Sequence, residues 1–160
     1  METTVIEQEL RINAYPALFG TSKYKNMPLF AYAESLFYMG MDQMISSYNG
    51  GYFDFVKITK FDENIDIVSN GFMPLITTSK HVEIETPFGM KATLSYQSCC
   101  LIVWLFVLEQ IACSIDNSDV SETIYKTIQD LKCYYSVLTN ENGSRLFSDD
   151  DCAAMHTLLD

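Results

Sequence analysis

The hydrophobic positions along the chain change their spacing at residues 47–55. Before this segment, apolar side chains recur every three or four residues from Leu29 to Met44, the spacing of one face of a helix. After it, apolar and polar residues alternate in short runs bounded by Gly, Pro and Asn, which is typical of strands and turns. Gly50 and Gly51 permit backbone angles that residues with a Cβ resist. We therefore predict a junction between a helix and a sheet at this segment.

Two predicted helices carry mostly apolar side chains. Pro28 suits the first turn of a helix, where its missing N–H is no loss, and the pattern after it predicts a helix that ends near Ser47. A second helix is predicted over residues 96–113, with the hydroxyl of Ser95 as its cap. Residues 99–108 of this helix leave no polar face, so we expect it to be central and buried.

Two further helices are predicted in the last third of the chain. Asp119, followed three residues later by Glu122, is a capping pattern, and apolar residues after it repeat at helical spacing. Ser148 is expected to cap a last helix over residues 149–158. Its first turn holds Asp149, Asp150 and Asp151, and acidic groups there complement the positive end of the helix dipole.

Strand patterns lie between the two apolar helices. Runs with strand composition cover residues 52–59, 65–69, 72–77, 81–86 and 90–94. Asn70 and Gly71 favour a type I′ hairpin turn, and Pro74 restricts its strand to an edge or a bulge. Because strands joined by short connections must be antiparallel, we predict an antiparallel meander of four or five strands packed with about four helices. The expected fold is a single α+β domain over residues 1–160, with residues 1–26 as an irregular leader packed on it.

Charge and length narrow the functional classes. The chain has 160 residues, 48% of them hydrophobic, and a net charge of −11 that is concentrated in its second half. This charge disfavours direct binding to nucleic acid or to an anionic membrane. The longest apolar run has ten residues, whereas a membrane-spanning helix needs about 20. No signal-peptide pattern opens the chain, and five cysteines without regular spacing fit a reducing cytoplasm, so we expect a soluble cytoplasmic protein.

Residues able to carry catalysis are few and scattered. Five cysteines without C-x-x-C spacing favour neither a disulfide framework nor zinc. No P-loop or dinucleotide fingerprint is present, and no acidic cluster stands beside a histidine in the sequence. We expect no enzyme, cofactor or metal site. A hydrolase built on His81 or His156 is a weaker hypothesis.

Several short segments, spread over most of the chain, match one known family. They read PALFG at residues 16–20, GGYFDF at 50–55 and NGFMP at 70–74, followed by Leu94 and Ser95 at the start of the apolar helix. In this order they resemble the antirestriction proteins of the ArdB/KlcA type, whose Tyr- and Leu-bearing helix is matched at Tyr125, Leu131 and Tyr134. GGYFDF is the most specific segment, whereas linking residues such as 61–64 differ.

The resemblance implies a function without catalysis. It implies a compact α+β protein, carried by a plasmid or other mobile genetic element, that protects incoming DNA from the host's type I restriction-modification enzymes by protein-level interference. The partner would be that restriction system, reached directly or indirectly. The alternative is an acidic DNA mimic that occupies a DNA-binding site, although eleven net charges match only about 19 Å of duplex.

The candidate partner-binding residues lie in two places. One is the surface around Tyr52, Asp54, Asn70 and Gly71, in the two glycine-containing segments; the other is the acidic turn of Asp149, Asp150 and Asp151. For residues 50–55 a purely structural role in the helix-to-sheet junction is the competing interpretation.

Overall fold

The computed structural model describes residues 2–6, 18–50, 53–59, 72–76, 78 and 80–159. In chain order its elements are β1 (Glu2–Ile6), β2 (Lys23–Tyr24), β3 (Met27–Pro28), α1 (Leu29–Met44), β4 (Asp54–Thr59), β5 (Phe72–Leu75), β6 (His81–Glu85), β7 (Lys91–Ser95), α2 (Tyr96–Ser114), α3 (Ser118–Tyr134), a 3-10 turn (Tyr135–Val137) and α4 (Asp149–Leu159). The predicted α+β class is confirmed, with these four helices and antiparallel strands in the described part of the chain.

Helix α2 is the centre of the fold, as its sequence predicts. Every residue from Cys99 to Leu108 is buried except Phe106, which is half-buried. Because this helix has no polar face, only a position between other elements removes its side chains from water. Helices α1 and α3 and the strands β5 and β7 pack around it.

Two of the three predicted helix caps are confirmed by their hydrogen bonds, and the first helix ends at Met44, three residues before the predicted end near Ser47. The Ser95 hydroxyl accepts from Ser98 N, and the Ser148 hydroxyl accepts from Asp151 N at 3.1 Å. The predicted cap of α3 is wrong by two residues. Asn117, not Asp119, caps this helix, because the Asn117 side-chain oxygen accepts from the amides of both Asp119 and Val120.

The strands are divided among three small antiparallel sheets in the part of the chain that is described. The three-stranded sheet has the order β1-β4-β5, and the pairs β2-β3 and β6-β7 stand apart from it. The alternation of side chains predicted these strands and their antiparallel pairing, but the structure does not join them into one meander. The strand expected at residues 65–69, with its turn at Asn70 and Gly71, lies outside the described residues.

The N-terminal segment corrects one prediction. Residues 2–6, expected to be part of an irregular leader, form β1, which pairs with β4 so that Glu2 faces Thr59. The partner strand lies about 50 residues downstream, so no local pattern could announce the pairing. The expectation that this region has anchoring side chains is confirmed at Leu18 and Phe19, which are buried.

The junction at residues 47–55 has the predicted structural role in its described part. Gly50 adopts a φ of +92°, a value that residues with a Cβ rarely reach. Phe53 and Phe55 are buried, and the Phe55 ring lies edge-on to Trp104 of α2, with 6.4 Å between the ring centroids. Phe53 meets Phe37 of α1 in the same edge-on geometry at 5.0 Å. These aromatic contacts attach the start of the sheet to both helices.

The hairpin of β6 and β7 is the most regular part of the sheet structure. Along β6 the side chains alternate between exposed and buried, with Val82 and Ile84 facing inward. This alternation matches the sequence prediction for a strand with one wet face. Its turn, at Thr86 to Met90, lies near α2, because the ring centroid of Phe88 is 6.2 Å from that of Phe106.

By length and composition alone, α2 could also cross a membrane, since its mean hydropathy reaches 1.5 over 18 residues. Most of that window is buried inside the protein. Burial among the other helices and strands therefore accounts for its apolar sequence without a lipid environment.

Candidate functional site

The predicted binding residues fall into two groups that the structure treats differently. Tyr52, Asn70 and Gly71 lie outside the described residues. Asp54 is the first residue of β4, where it pairs in register with Leu75 of β5 and is half-buried. It stays a candidate for partner binding that nothing in the fold tests.

The three aspartates at the start of α4 do not form one acidic patch. Asp149 is exposed and accepts a hydrogen bond from the guanidinium of Arg145, one helical turn earlier. Asp150 is exposed. Asp151 is only 4% exposed, so it faces the protein and not the solvent. Asp151 is therefore not available at the surface as the predicted partner-binding turn requires, whereas partner binding by Asp149 and Asp150 stays a prediction.

Asp151 instead accepts hydrogen bonds from the amino end of α2. Its Oδ2 accepts from Ser98 Oγ at 2.8 Å and from Ser95 N at 3.3 Å. Since the Ser98 hydroxyl proton points to the carboxylate, the Ser95 hydroxyl, 2.7 Å away, donates to Ser98 Oγ. We call Asp151, Ser95, Ser98 and the adjacent His81 the carboxylate cluster.

His81 lies at the outer edge of this cluster. Its Nε2 is 3.9 Å from Asp151 Oδ1, and its side chain is 57% exposed. The sequence separates the two residues by 70 positions, so no local pattern indicates that they meet. They lie close together in the structure because β6 and the start of α4 meet at the amino end of α2.

The electrostatics of the cluster explain the burial of Asp151. The first amides of a helix carry partial positive charge, and a carboxylate placed there is stabilised. Asp151, Met155 and Leu158 are all buried and stand at positions i, i+4 and i+7 of α4. This spacing is the signal that could have placed Asp151 on the inner face of its helix.

The geometry does not assemble a serine hydrolase. In such enzymes a histidine takes the proton of an accessible serine, and a carboxylate orients the histidine. Here the carboxylate accepts directly from Ser98, whose side chain is completely buried and closed to any substrate. The arrangement satisfies buried donors and holds α4 against α2. His156, the other candidate base, lies exposed in the last turn of α4.

Two cysteines of α2 are buried close to the cluster. Burial, together with the nearby Asp151 carboxylate, raises the pKa of the Cys99 thiol to about 12. Burial also raises the pKa of the Cys100 thiol. A thiol that stays protonated is a poor nucleophile and a poor metal ligand. Among the described residues, no group of three His, Cys, Asp or Glu side chains could hold a metal ion.

Comparison with known proteins rests on the fold. No family model matches the chain, and no curated protein does. Among the solved structures that are similar to this chain is that of the KlcA and ArdB proteins, with a TM-score of 0.70 and 20% sequence identity. The similarity covers 99% of this chain and 94% of the other. Those proteins are described as having a novel fold and antirestriction activity against type I DNA restriction systems in vivo but not in vitro. This chain therefore has the fold of the KlcA and ArdB antirestriction proteins.

Proposed function

We propose that this protein is an antirestriction protein of a mobile genetic element, which protects incoming DNA from type I restriction-modification enzymes. The observation that carries the proposal is the match in fold over 99% of the chain. The segments at residues 16–20, 50–55 and 70–74 support it independently, because they were matched to the same family from sequence alone. A cytoplasmic location follows from the proposed target.

The mode of action we propose is interference at the level of proteins, without catalysis. Ser98 and Cys99 are both buried, and the Cys99 thiol stays protonated, so neither is an accessible nucleophile, which supports this mode. The KlcA and ArdB proteins act in vivo but not in vitro. An activity that needs a cell depends on a component missing from the purified mixture, so we propose that the restriction system is reached indirectly.

A DNA mimic is the less supported alternative. Residues 109–160 hold ten acidic and three basic residues, which favours it. The acidic turn at the start of α4, however, presents less charge than its sequence suggests. Asp151 is buried, and Asp149 pairs with Arg145, which leaves Asp150 as the aspartate of this turn without an ion pair to a described residue. A mimic needs its charges arrayed in solvent at the spacing of phosphates.

Plating of unmodified phage on a host with a type I restriction system tests the function. Expression of the protein is expected to raise the plating efficiency toward that of an isogenic host without restriction. Asp54→Ala tests the proposed binding surface. Asp116→Ala, which removes an exposed carboxylate between α2 and α3, is its matched control. Unchanged restriction in cells that contain the folded protein would overturn the proposal.

Binding to the purified restriction complex separates the two modes of action. Interference through a cellular component predicts no tight binding of the purified protein and no inhibition of DNA cleavage. A mimic predicts binding that weakens steeply as salt rises, because its contacts replace those of phosphates. Salt-sensitive binding together with cleavage inhibition would establish the mimic and refute the indirect mode.

A further inference from the structure

The turn of the β6–β7 hairpin presents a large apolar side chain to solvent. Phe88 is 83% exposed. The turn beneath it is rigid, because Thr86 is buried, its N donates to Met90 O at 2.8 Å and its carbonyl accepts from Gly89 N at 2.9 Å. Pro87 fixes a further backbone angle. The backbone at Phe88 is therefore fixed at the protein surface, so contact with a partner costs little further backbone freedom.

An apolar groove lies directly beside Phe88. It has a volume of about 420 Å³, and Met90, Phe106, Leu158 and Leu159 contribute to its walls. Phe106 is the half-buried residue at which the apolar helix α2 reaches the surface, and its ring centroid is 6.2 Å from that of Phe88. A second groove of about 350 Å³, on the other side of Phe106, extends the apolar surface toward Met39 of α1.

Charged residues are scarce on this surface. Glu109 of α2 and Lys132 of α3 are the charged residues that line the first groove, and no charged residue is among the described lining of the second. Neither Glu109 nor Lys132 takes part in an ion pair with another described residue. An apolar centre depleted of charge, with charged groups at its rim, is characteristic of protein–protein interfaces.

We propose that this face, formed by Phe88, Met90, Phe106, Glu109 and Lys132, is a self-association surface that takes a second copy of the same chain. In a two-fold dimer each partner presents the same patch, so the patch must complement itself. Phe88 of each copy enters the groove of the other, and Glu109 of each copy meets Lys132 of the other. Two apolar contacts and two ion pairs form by symmetry.

The charges of the groove favour a second copy over other occupants. The lining carries one acidic and one basic residue, a set that pairs with itself but not with a strongly basic or acidic peptide. The groove is also open beside a protruding ring, which suits reciprocal insertion better than enclosure of a small apolar molecule. The proposal does not depend on antirestriction activity.

Sedimentation equilibrium on the full chain tests the proposal through Phe88→Asp. The measurement is made at about 0.15 M salt, where screening beyond about 8 Å limits repulsion between two copies of net charge −11. The unaltered protein is expected to reach twice its mass of 18.2 kDa as its concentration rises. Phe88→Asp should weaken association by about 30-fold or more, the effect of losing a central aromatic anchor.

Two methionines provide a matched control. Met90→Asp, in the groove, is expected to weaken association, whereas Met27→Asp, at a residue of similar exposure outside the groove lining, is expected to leave it unchanged. Circular dichroism establishes that each variant is folded.

Charge reversal gives the sharper test, because a second substitution can restore the ion pairs that the first one removes. Lys132→Glu places two acids opposite each other at both ends of the interface and is expected to weaken the dimer. The double variant Glu109→Lys with Lys132→Glu exchanges the charges and should recover it. A protein that stays monomeric at every concentration, a dimer indifferent to Phe88→Asp and to Lys132→Glu, or a monomer that carries an apolar small molecule in native mass spectrometry would each overturn the proposal.

Discussion

At its amino end, α2 begins among buried polar groups, whereas toward its carboxyl end, at Phe106 and Glu109, it borders two open apolar grooves. Asp151 satisfies the donors of Ser95 and Ser98 at the first end. No described part of the chain covers Phe88 at the other, where that ring is 83% exposed. Polar groups are thus buried at the amino end of α2, whereas apolar side chains are exposed to water near its carboxyl end.

The amino end of α2 therefore serves folding, whereas the grooves near its carboxyl end are available for binding. A buried donor without a partner is costly, so the amino end is stable only as a complete hydrogen-bonded set. An exposed apolar side chain costs the isolated protein little, and its burial is available to a second molecule. Substitutions at the amino end should therefore change stability, and substitutions at the grooves should change association.

The largest expected difference between the two ends of α2 is in the reactivity of their cysteines. At pH 9 a thiol with the ordinary pKa is half ionised, whereas Cys99, with its pKa raised to about 12, is ionised to about one part in a thousand. Iodoacetamide should modify the exposed Cys113 near the carboxyl end and spare Cys99 and Cys100. Mass spectrometry of peptides measures this. Equal modification of all three would show that the amino half opens to solvent.

The same buried thiol predicts how stability depends on pH. Its pKa is raised in the folded protein, so its contribution is complete below pH 9 and is lost as the pH rises toward about 12, because the unfolded thiol ionises first. Urea unfolding across this range should show less of the alkaline loss in Cys99→Ala than in the unaltered protein. If the free energy of unfolding fell equally with rising pH in the two proteins, Cys99 would not be the cause of the alkaline loss of stability.

Loss of the buried carboxylate is expected to be the most destabilising single substitution at the amino end. Asp151→Ala leaves the amide of Ser95 and the hydroxyl of Ser98 without their acceptor, which should lower the free energy of unfolding by about 3 kcal/mol. Asp150→Ala, one residue earlier and exposed, is the control and should change it by less than about 0.5 kcal/mol. Equal effects of the two substitutions would contradict the structural role of Asp151.

Removal of the helix cap should have a smaller effect. Ser95→Ala deletes the hydroxyl that accepts from Ser98 N, which should cost about 1 kcal/mol in urea unfolding. Ser95→Thr keeps an acceptor and is expected to lose less. If the threonine variant were as unstable as the alanine variant, packing around residue 95 and not capping would be responsible.

The smallest effect on stability is expected at the groove. Phe88→Ser removes a ring that is largely in water, so the free energy of unfolding should change by less than about 0.5 kcal/mol when it is measured on the monomer. Thermal unfolding at low protein concentration measures this. A loss of several degrees would show that Phe88 supports the hairpin itself, and it would erase the contrast between the two ends of α2.

Local patterns were sufficient for much of the fold. The caps at Ser95 and Ser148 and the alternation along β6 involve residues close in sequence, so short spacings predict them well. The cap of α3 was misplaced because Asn117 and Asp119 are both good capping residues, and only the backbone geometry distinguishes them. The burial of Asp151 was missed because the helix-dipole argument applies equally to all three consecutive aspartates and does not distinguish the inner face of the helix from the outer one.

By itself the sequence determined that α2 is apolar on every side and must be central. It also determined that Gly50 and Gly51 separate a helical hydrophobic pattern from a strand pattern. It also carried enough of a family pattern to indicate the fold that the structural comparison shows. Tertiary structure alone decided that β1 pairs with β4, that His81 lies beside Asp151, and that Phe88 overhangs a groove. The physical reason is distance along the chain. Periodicity reports which face of an element avoids water, but not which remote element will cover that face or supply its missing hydrogen-bond partner.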